Sequence, residues 1–382
     1  MASRTVDLVA VGPLPLDPYD PAGTAWAIAA ELAARGDRVR VLYPEGAPGL
    51  PPPADVVGTA VSLPLRRPGA ALEAAEFATL IGRRLRPEAE LVVRDPSGLG
   101  PLGLSGRRSE RPVVVSFVRA LELEAFDRER SARPPSGVAD RWDVWRDRRS
   151  VRRLERAALL EATALFLDDP GLAATLGTEY GIEPSRLRPT VPAVPRLPAG
   201  PTRSEARAAL GIPPDVPVVL APTSSDRAEE SGIDRVREAF RRIRLLFPGV
   251  RLVVVGTSVP PEPGVVDAPA RDGATLALGL AASDVSVVAP RRTGFDPGAI
   301  FSLRAGVPTI VGSTLRLPRP PGDAVRLATS DDPGDLASAL AELIADPAAA
   351  RDLAGRGPTY ASAYLAGAVV DQIDQVTRVR TS

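Results

Sequence analysis

Three runs near the amino terminus decide the fold: Val6-Asp7-Leu8-Val9-Ala10-Val11, then Gly23-Thr24-Ala25-Trp26-Ala27-Ile28-Ala29-Ala30-Glu31-Leu32-Ala33-Ala34-Arg35-Gly36, then Val39-Arg40-Val41-Leu42-Tyr43. The first is a short apolar run that ends at Gly12 and reads as a strand. A Pro/Asp loop, Pro13–Pro21, separates it from the second. From Ala25 to Arg35 the apolar residues recur at helical spacing, and Gly36 supplies the usual stop. The third run is again a strand. Strand, helix and strand in that order make a βαβ unit, so the strands are expected to be parallel and joined by a right-handed crossover.

The same alternation continues outward. Leu72–Leu85 reads as a helix, Glu90–Val93 and Pro112–Val118 as strands, Asp140–Glu161 as a long helix, Ala164–Leu167 as a strand and Leu172–Tyr180 as a helix closed by Gly181. Then Pro189, Pro192, Pro195, Pro198 and Pro201 fall at every third position. Such spacing suits neither a helix nor a central strand, so an extended linker is expected there. Beyond it the pattern resumes, with strands at Val216–Ala221, Arg251–Gly256, Val285–Ala289 and Thr309–Val311. Helices are expected at Gly232–Phe247, Ala274–Ala282, Pro297–Arg304, Leu336–Ile344 and Tyr360–Val379. The expected class is α/β, with two Rossmann-like domains facing a cleft. One spans residues 1–195 and is completed by the C-terminal helix 360–382; the other spans residues 202–359.

At 382 residues the chain is long enough for two domains, each with its own core. The 47 basic residues, all arginine, balance 47 acidic ones, so no global field draws the protein to nucleic acid. Histidine and cysteine are absent. That excludes zinc sites of the usual kind, thiol nucleophiles, disulfides and a histidine base. No cofactor is expected. Met1–Arg4 is not a basic segment leading into an apolar one, and no apolar run is as long as a membrane span, so a cytoplasmic location is expected.

The helix Asp140–Glu161 carries Trp142, Trp145 and seven arginines. It suits an anionic membrane surface. Its five acidic residues favour the other reading, a solvated face laced with salt bridges.

Many segments resemble family 4 glycosyltransferases, which have the GT-B fold. Gly23 and Leu32-Ala33-Ala34-Arg35-Gly36-Asp37-Arg38-Val39 are similar to the family's glycine loop, first helix and entry to the next strand, with Asp37 where a histidine is usual. Leu154-Glu155-Arg156 followed by Leu165-Phe166-Leu167 resembles the family's Glu-Arg helix and following strand, and Tyr180-Gly181 through Val191-Pro192 resembles the approach to the interdomain linker. In the second half, Leu210-Gly211-Ile212-Pro213, Val218-Val219-Leu220, Phe247-Pro248 and Val253-Val254-Val255-Gly256 are similar to the entry and first strands of the family's second domain. Ala282-Ser283-Asp284-Val285, Ala305-Gly306-Val307-Pro308-Thr309-Ile310, Asp346-Pro347 and Arg351 continue the pattern in order.

The resemblance implies transfer of a hexose from a UDP- or GDP-linked sugar to an acceptor, with retention. It also locates the positions that should hold the donor, and there the chain departs from the family. The Arg-x4-Lys pair that grips the diphosphate is replaced by Asp226 and Ser231, with Arg227 one residue out of register. The Glu-x7-Glu pair is replaced by Thr293 and Phe301, although Gly294-Phe295 between them is retained. Asp296 reads as the cap of the helix whose amino end should face phosphate, with Pro297 at its first position. The catalytic-loop histidine falls at about Val118. Candidate donor contacts are therefore Gly23, Thr24, Thr223, Arg227, Ser231, Gly256, Arg291, Arg292, Thr293, Gly294, Phe295, Asp296 and Phe301; no catalytic residue is assigned. Two readings stand side by side: a retaining nucleotide-sugar transferase, or an inactive homologue that acts as a partner or binding subunit.

Overall fold

A computed structural model of the chain describes residues 3–10, 23–44, 56–61, 78–94, 101–104, 111–132, 138–223, 231–270, 272–291 and 295–381. The chain divides into two compact units. The first comprises residues 1–16, 22–193 and 366–382, and the second residues 17–21 and 194–365.

The first unit is built on seven parallel strands: β1 (Thr5–Val9), β2 (Arg38–Pro44), β3 (Val57–Val61), β4 (Leu91–Arg94), β5 (Val113–Val118), β6 (Ala164–Leu167) and β7 (Leu187–Pro189). Their spatial order is β3-β2-β1-β4-β5-β6-β7. The strands β1, β4, β5 and β6 are buried along their whole length. This is why they read as unbroken apolar runs: helices cover both faces of the sheet. One charge interrupts β1. Asp7 is fully buried and lies directly opposite Arg40 of β2. Its carboxylate accepts from Arg40 Nε at 3.0 Å and Nη2 at 2.8 Å, and from Arg86 Nε at 2.8 Å and backbone N at 2.7 Å. Four donors satisfy a buried carboxylate that would otherwise be prohibitive.

The second unit has six parallel strands: β8 (Val218–Pro222), β9 (Arg251–Val255), β10 (Val265–Ala268), β11 (Val285–Val288), β12 (Thr309–Val311) and β13 (Arg326–Leu327), in the order β10-β9-β8-β11-β12-β13. Each sheet therefore runs outward in both directions from its first strand. The order reverses between β1 and β4 and between β8 and β11, which are the switch points where open α/β sheets hold ligands at the carboxyl ends of the strands. The expected α/β class with two parallel sheets is what the structure contains.

One local expectation is revised. The tail forms two helices, Pro347–Ala361 and Ala366–Thr381, parted by a 3-10 turn at Ser362–Tyr364 and an extended Leu365. Only the second lies in the first unit, where Val369, Val370 and Ile373 are fully buried. There Asp371 pairs with Arg35 at 2.7 Å and Asp374 with Arg4 at 2.7 Å. The proline-rich stretch holds no helix and begins with a short edge strand. Leu187–Pro189 forms the edge strand, Thr190, Val191, Ala193 and Val194 are buried, and Val194 N donates to Tyr364 O at 2.9 Å.

Candidate functional site

In the second unit the carboxyl edge of the sheet is built by close backbone contacts. Gly256, just past β9, has φ +92°, and a Cβ there would collide with the Thr223 carbonyl oxygen. Thr223, just past β8, turns its hydroxyl back to Val255 O at 2.9 Å and is buried. These two candidates touch, and the Thr223 hydroxyl hydrogen is committed to the backbone. Gly232 has φ +69° and lies so close to the end of β11 that a Cβ would collide with the Ala289 carbonyl. Only glycine fits both positions.

Gly232 leads into the helix Ile233–Arg244, and Ser231 Oγ accepts from Ile233 N at 3.3 Å. In the first turn of that helix Asp234 holds Arg291 as an ion pair, with Arg291 Nε at 3.3 Å from Oδ1. Burial pushes the Asp234 carboxyl up, but the hydrogen bond and charge of Arg291 outweigh it, and its pKa lies below the ordinary value. The candidate cation Arg291 is thus held by a carboxylate. Sequence reading missed Asp234, although an acid in a first helical turn is a common complement to the helix dipole.

The helix Pro297–Arg304 starts behind β8. Asp296 is its cap, Oδ1 accepting from Gly298 N at 2.8 Å, and Asp296 is only 6% exposed. Every residue from Pro297 to Leu303 is buried, and the Phe301 ring is fully enclosed. Phe295, before the cap, stacks on Tyr364 with ring centroids 6.0 Å apart. Arg227, Arg292, Thr293 and Gly294, with Asp226, lie outside the described residues.

In the first unit, Gly23 opens the helix Gly23–Ala34. Thr24 is buried and donates from Oγ1 to Ala193 O at 3.2 Å. Beside it, at the carboxyl ends of β5 and β6, Arg119 Nε donates to Asp168 Oδ2 at 2.9 Å. Arg119 Nη2 and Asp168 Oδ1 are buried without a hydrogen-bond partner. Burial pushes the Asp168 carboxyl up against the opposing pull of Arg119. Thr24, Val118, Arg119 and Asp168 line a cavity of about 10 Å³, room for at most one water. Arg119 follows the position of the family's histidine by one residue. A larger cavity, of about 520 Å³, lies at the opposite, amino-terminal edge of the second sheet, lined by Arg207, Asp284, Pro308 and Arg351 among others. It is not at the edge where these folds hold substrates. Among the described residues no three carboxylates gather around a possible metal position, and no helix is long and apolar enough to cross a membrane.

Residues 21–193 match the model of the glycosyl transferase 4-like domain. Solved structures similar over the whole chain include sucrose-phosphate synthase from Thermosynechococcus elongatus, at 18% identity and TM-score 0.64, with 99% of each chain covered. Anabaena Alr3699/HepE in complex with UDP-glucose is similar at 14% identity and TM-score 0.65, with 98% of this chain and 99% of the other covered. WaaG, a glycosyltransferase involved in lipopolysaccharide biosynthesis, is similar at 18% identity and TM-score 0.62, with 96% and 99% covered. Comparison with curated proteins gave no match. The chain has the GT-B fold of these structures, and within it residues 21–193 match the glycosyl transferase 4-like domain.

Proposed function

We propose that this chain is a glycosyltransferase homologue that does not hold a nucleotide-diphosphate donor in the family's manner and works as a binding or partner subunit. The observation that carries this reading is Asp296. Its carboxylate occupies the amino end of the helix Pro297–Arg304, where a donor's diphosphate would need bare N–H groups. A helix amino terminus favours an anion by about 0.3–1 kcal/mol, and up to about 2 when partly buried. A like charge about 4 Å away opposes it by about 4 kcal/mol near a protein surface. Repulsion is the larger effect. The enclosed Phe301 adds to this, since a phenyl ring has no atom to accept from a ribose hydroxyl.

A second reading, a retaining transferase using a UDP- or GDP-linked hexose, draws support from the similarity to a structure that holds UDP-glucose. It needs cations from Arg227, Arg291 or Arg292, and Arg291 is already paired with Asp234.

Calorimetry with UDP, GDP and their sugars separates the two. The inactive reading expects a Kd weaker than about 1 mM, equivalent to −4.1 kcal/mol. Micromolar binding by the unmodified chain overturns it and restores the enzyme.

A further inference from the structure

The long helix Val138–Glu161 sorts its charges in a way that its composition does not reveal. At about 100° per residue, Arg141, Arg149, Arg152, Arg153 and Arg156 share an arc of about 120° with Trp142, Trp145 and Leu160. All eight are exposed, Trp142 by 62% and Trp145 by 49%. The acidic residues of the helix fall outside that arc. Glu155 is fully buried and accepts from Tyr180 Oη and Glu122 N. Glu161 turns inward and accepts from Leu102 N at 2.7 Å and Leu104 N at 2.9 Å. Asp143 and Asp147 pair with Arg146 on the flank, and Arg148 pairs with Asp127 of the helix Glu122–Ala132. Among the described residues, the salt-bridged face expected from the sequence is thus confined to Arg146 and Arg148. The five arginines of the arc have no carboxylate partner among the described residues.

The two tryptophans stack on each other with ring centroids 4.8 Å apart and planes 10° from parallel, and the Arg149 guanidinium lies 5.6 Å from the Trp145 ring. Leaving two indoles this exposed forgoes a large apolar burial in water. An indole flanked by guanidinium groups fits a lipid headgroup layer, where the ring enters the acyl boundary and the cations meet phosphate. The chain as a whole has zero net charge, so the arc is a local feature.

We infer that the outer face of the helix Val138–Glu161 is a docking surface for an anionic lipid bilayer. The surface is one face of a single helix, about 27 Å long from Trp142 to Leu160 at 1.5 Å per residue. That shape suits a planar layer. Its charge is of one sign, complementary to an anionic leaflet. The inference does not depend on whether a donor binds in the second unit.

The test uses the full chain and vesicles of phosphatidylcholine, with or without an equal part of phosphatidylglycerol. Co-sedimentation should occur with the anionic vesicles at low salt, fall with added salt, and be absent with phosphatidylcholine alone. Indole emission should shift to the blue on binding; Trp26, the remaining tryptophan, is buried and reports little. Each arginine near an anionic surface contributes about fivefold to partitioning, so Arg149→Glu/Arg152→Glu/Arg153→Glu should weaken it by about 100-fold or more. Trp142→Ala/Trp145→Ala should abolish the blue shift and speed release. These positions are exposed, so an unchanged Tm shows that the variants fold. Equal binding to neutral and anionic vesicles overturns the inference, as does wild-type sedimentation with no emission shift. Preference for an RNA oligonucleotide that displaces the vesicles also overturns it.

Discussion

Asp296 and Gly298 are joined by a 2.8 Å hydrogen bond, the carboxylate oxygen of the first accepting the backbone N–H of the second. This bond puts a negative charge at the one helix end where the family's donor phosphates would need a positive pole. Exchanging an aspartate cap for glycine costs only a few tenths of a kcal/mol. Asp296→Gly should therefore leave Tm nearly unchanged while raising UDP affinity at least about tenfold, measured by calorimetry. An unchanged affinity would show that Asp296 is not the barrier.

Asp7 sits fully buried between Arg40 and Arg86. Removing one partner of a buried ion pair leaves uncompensated charge and costs about 3–5 kcal/mol. Asp7→Ala should lower the urea midpoint of the first unit by a corresponding amount, and Asp7→Asn by less because it keeps acceptor capacity. A loss below about 1 kcal/mol for the alanine variant contradicts this account.

Glu155 predicts a pH dependence. Burial pushes its carboxyl up to about 7, outweighing the hydrogen bonds from Tyr180 and the backbone of Glu122 that pull it down. The native state then holds a proton that the unfolded chain, with a pKa near 4.5, has released. Between those values the native state binds more protons, so stability falls as pH rises from about 4.5 to about 7, by about 3 kcal/mol in all. Glu155→Gln has no proton to lose, and the wild-type-minus-variant difference in unfolding free energy should decline across that window. A pH-independent difference refutes the assignment.

Ile373 belongs to the last helix but is fully buried in the first unit. Ile373→Ala should destabilise that unit by about 2–5 kcal/mol. Hydrogen exchange should show faster opening in β1, β4 and β5, with the strands β8 to β11 unaffected. Equal loosening of both units would count against it.

The long elements were legible because burial on both faces leaves apolar runs that nothing else explains. Arg251–Val255 and Val285–Val288 are such cases. The edge strand Val57–Val61 was not found, since only Val61 of its five residues is buried and its pattern carries no core signal. Leu187–Pro189 was hidden inside the proline spacing. Its one proline, Pro189, fits because an edge strand has one side without ladder partners. The helix Pro347–Ala361 contains Pro358, a residue that reads locally as a break. At the site, the cap Asp296 followed from sequence because caps are local. The pairs Arg119–Asp168 and Arg291–Asp234 did not, because each joins residues about fifty positions apart that only the sheet brings together.

The first unit is assembled from both sides of the second. Residues 22–193 leave the ribosome early, yet the helix Ala366–Thr381, which brings Val369, Val370 and Ile373 into the core of the first unit, emerges only after residues 194–365 have been made. During that interval the nascent first unit must keep the apolar ground for Ile373 bare, while residues 194–365, the bulk of the second unit, are made as one continuous stretch. The order of completion is therefore the reverse of the order of synthesis for these two units. The first unit stays open to chaperones, and to aggregation, until the last helix arrives.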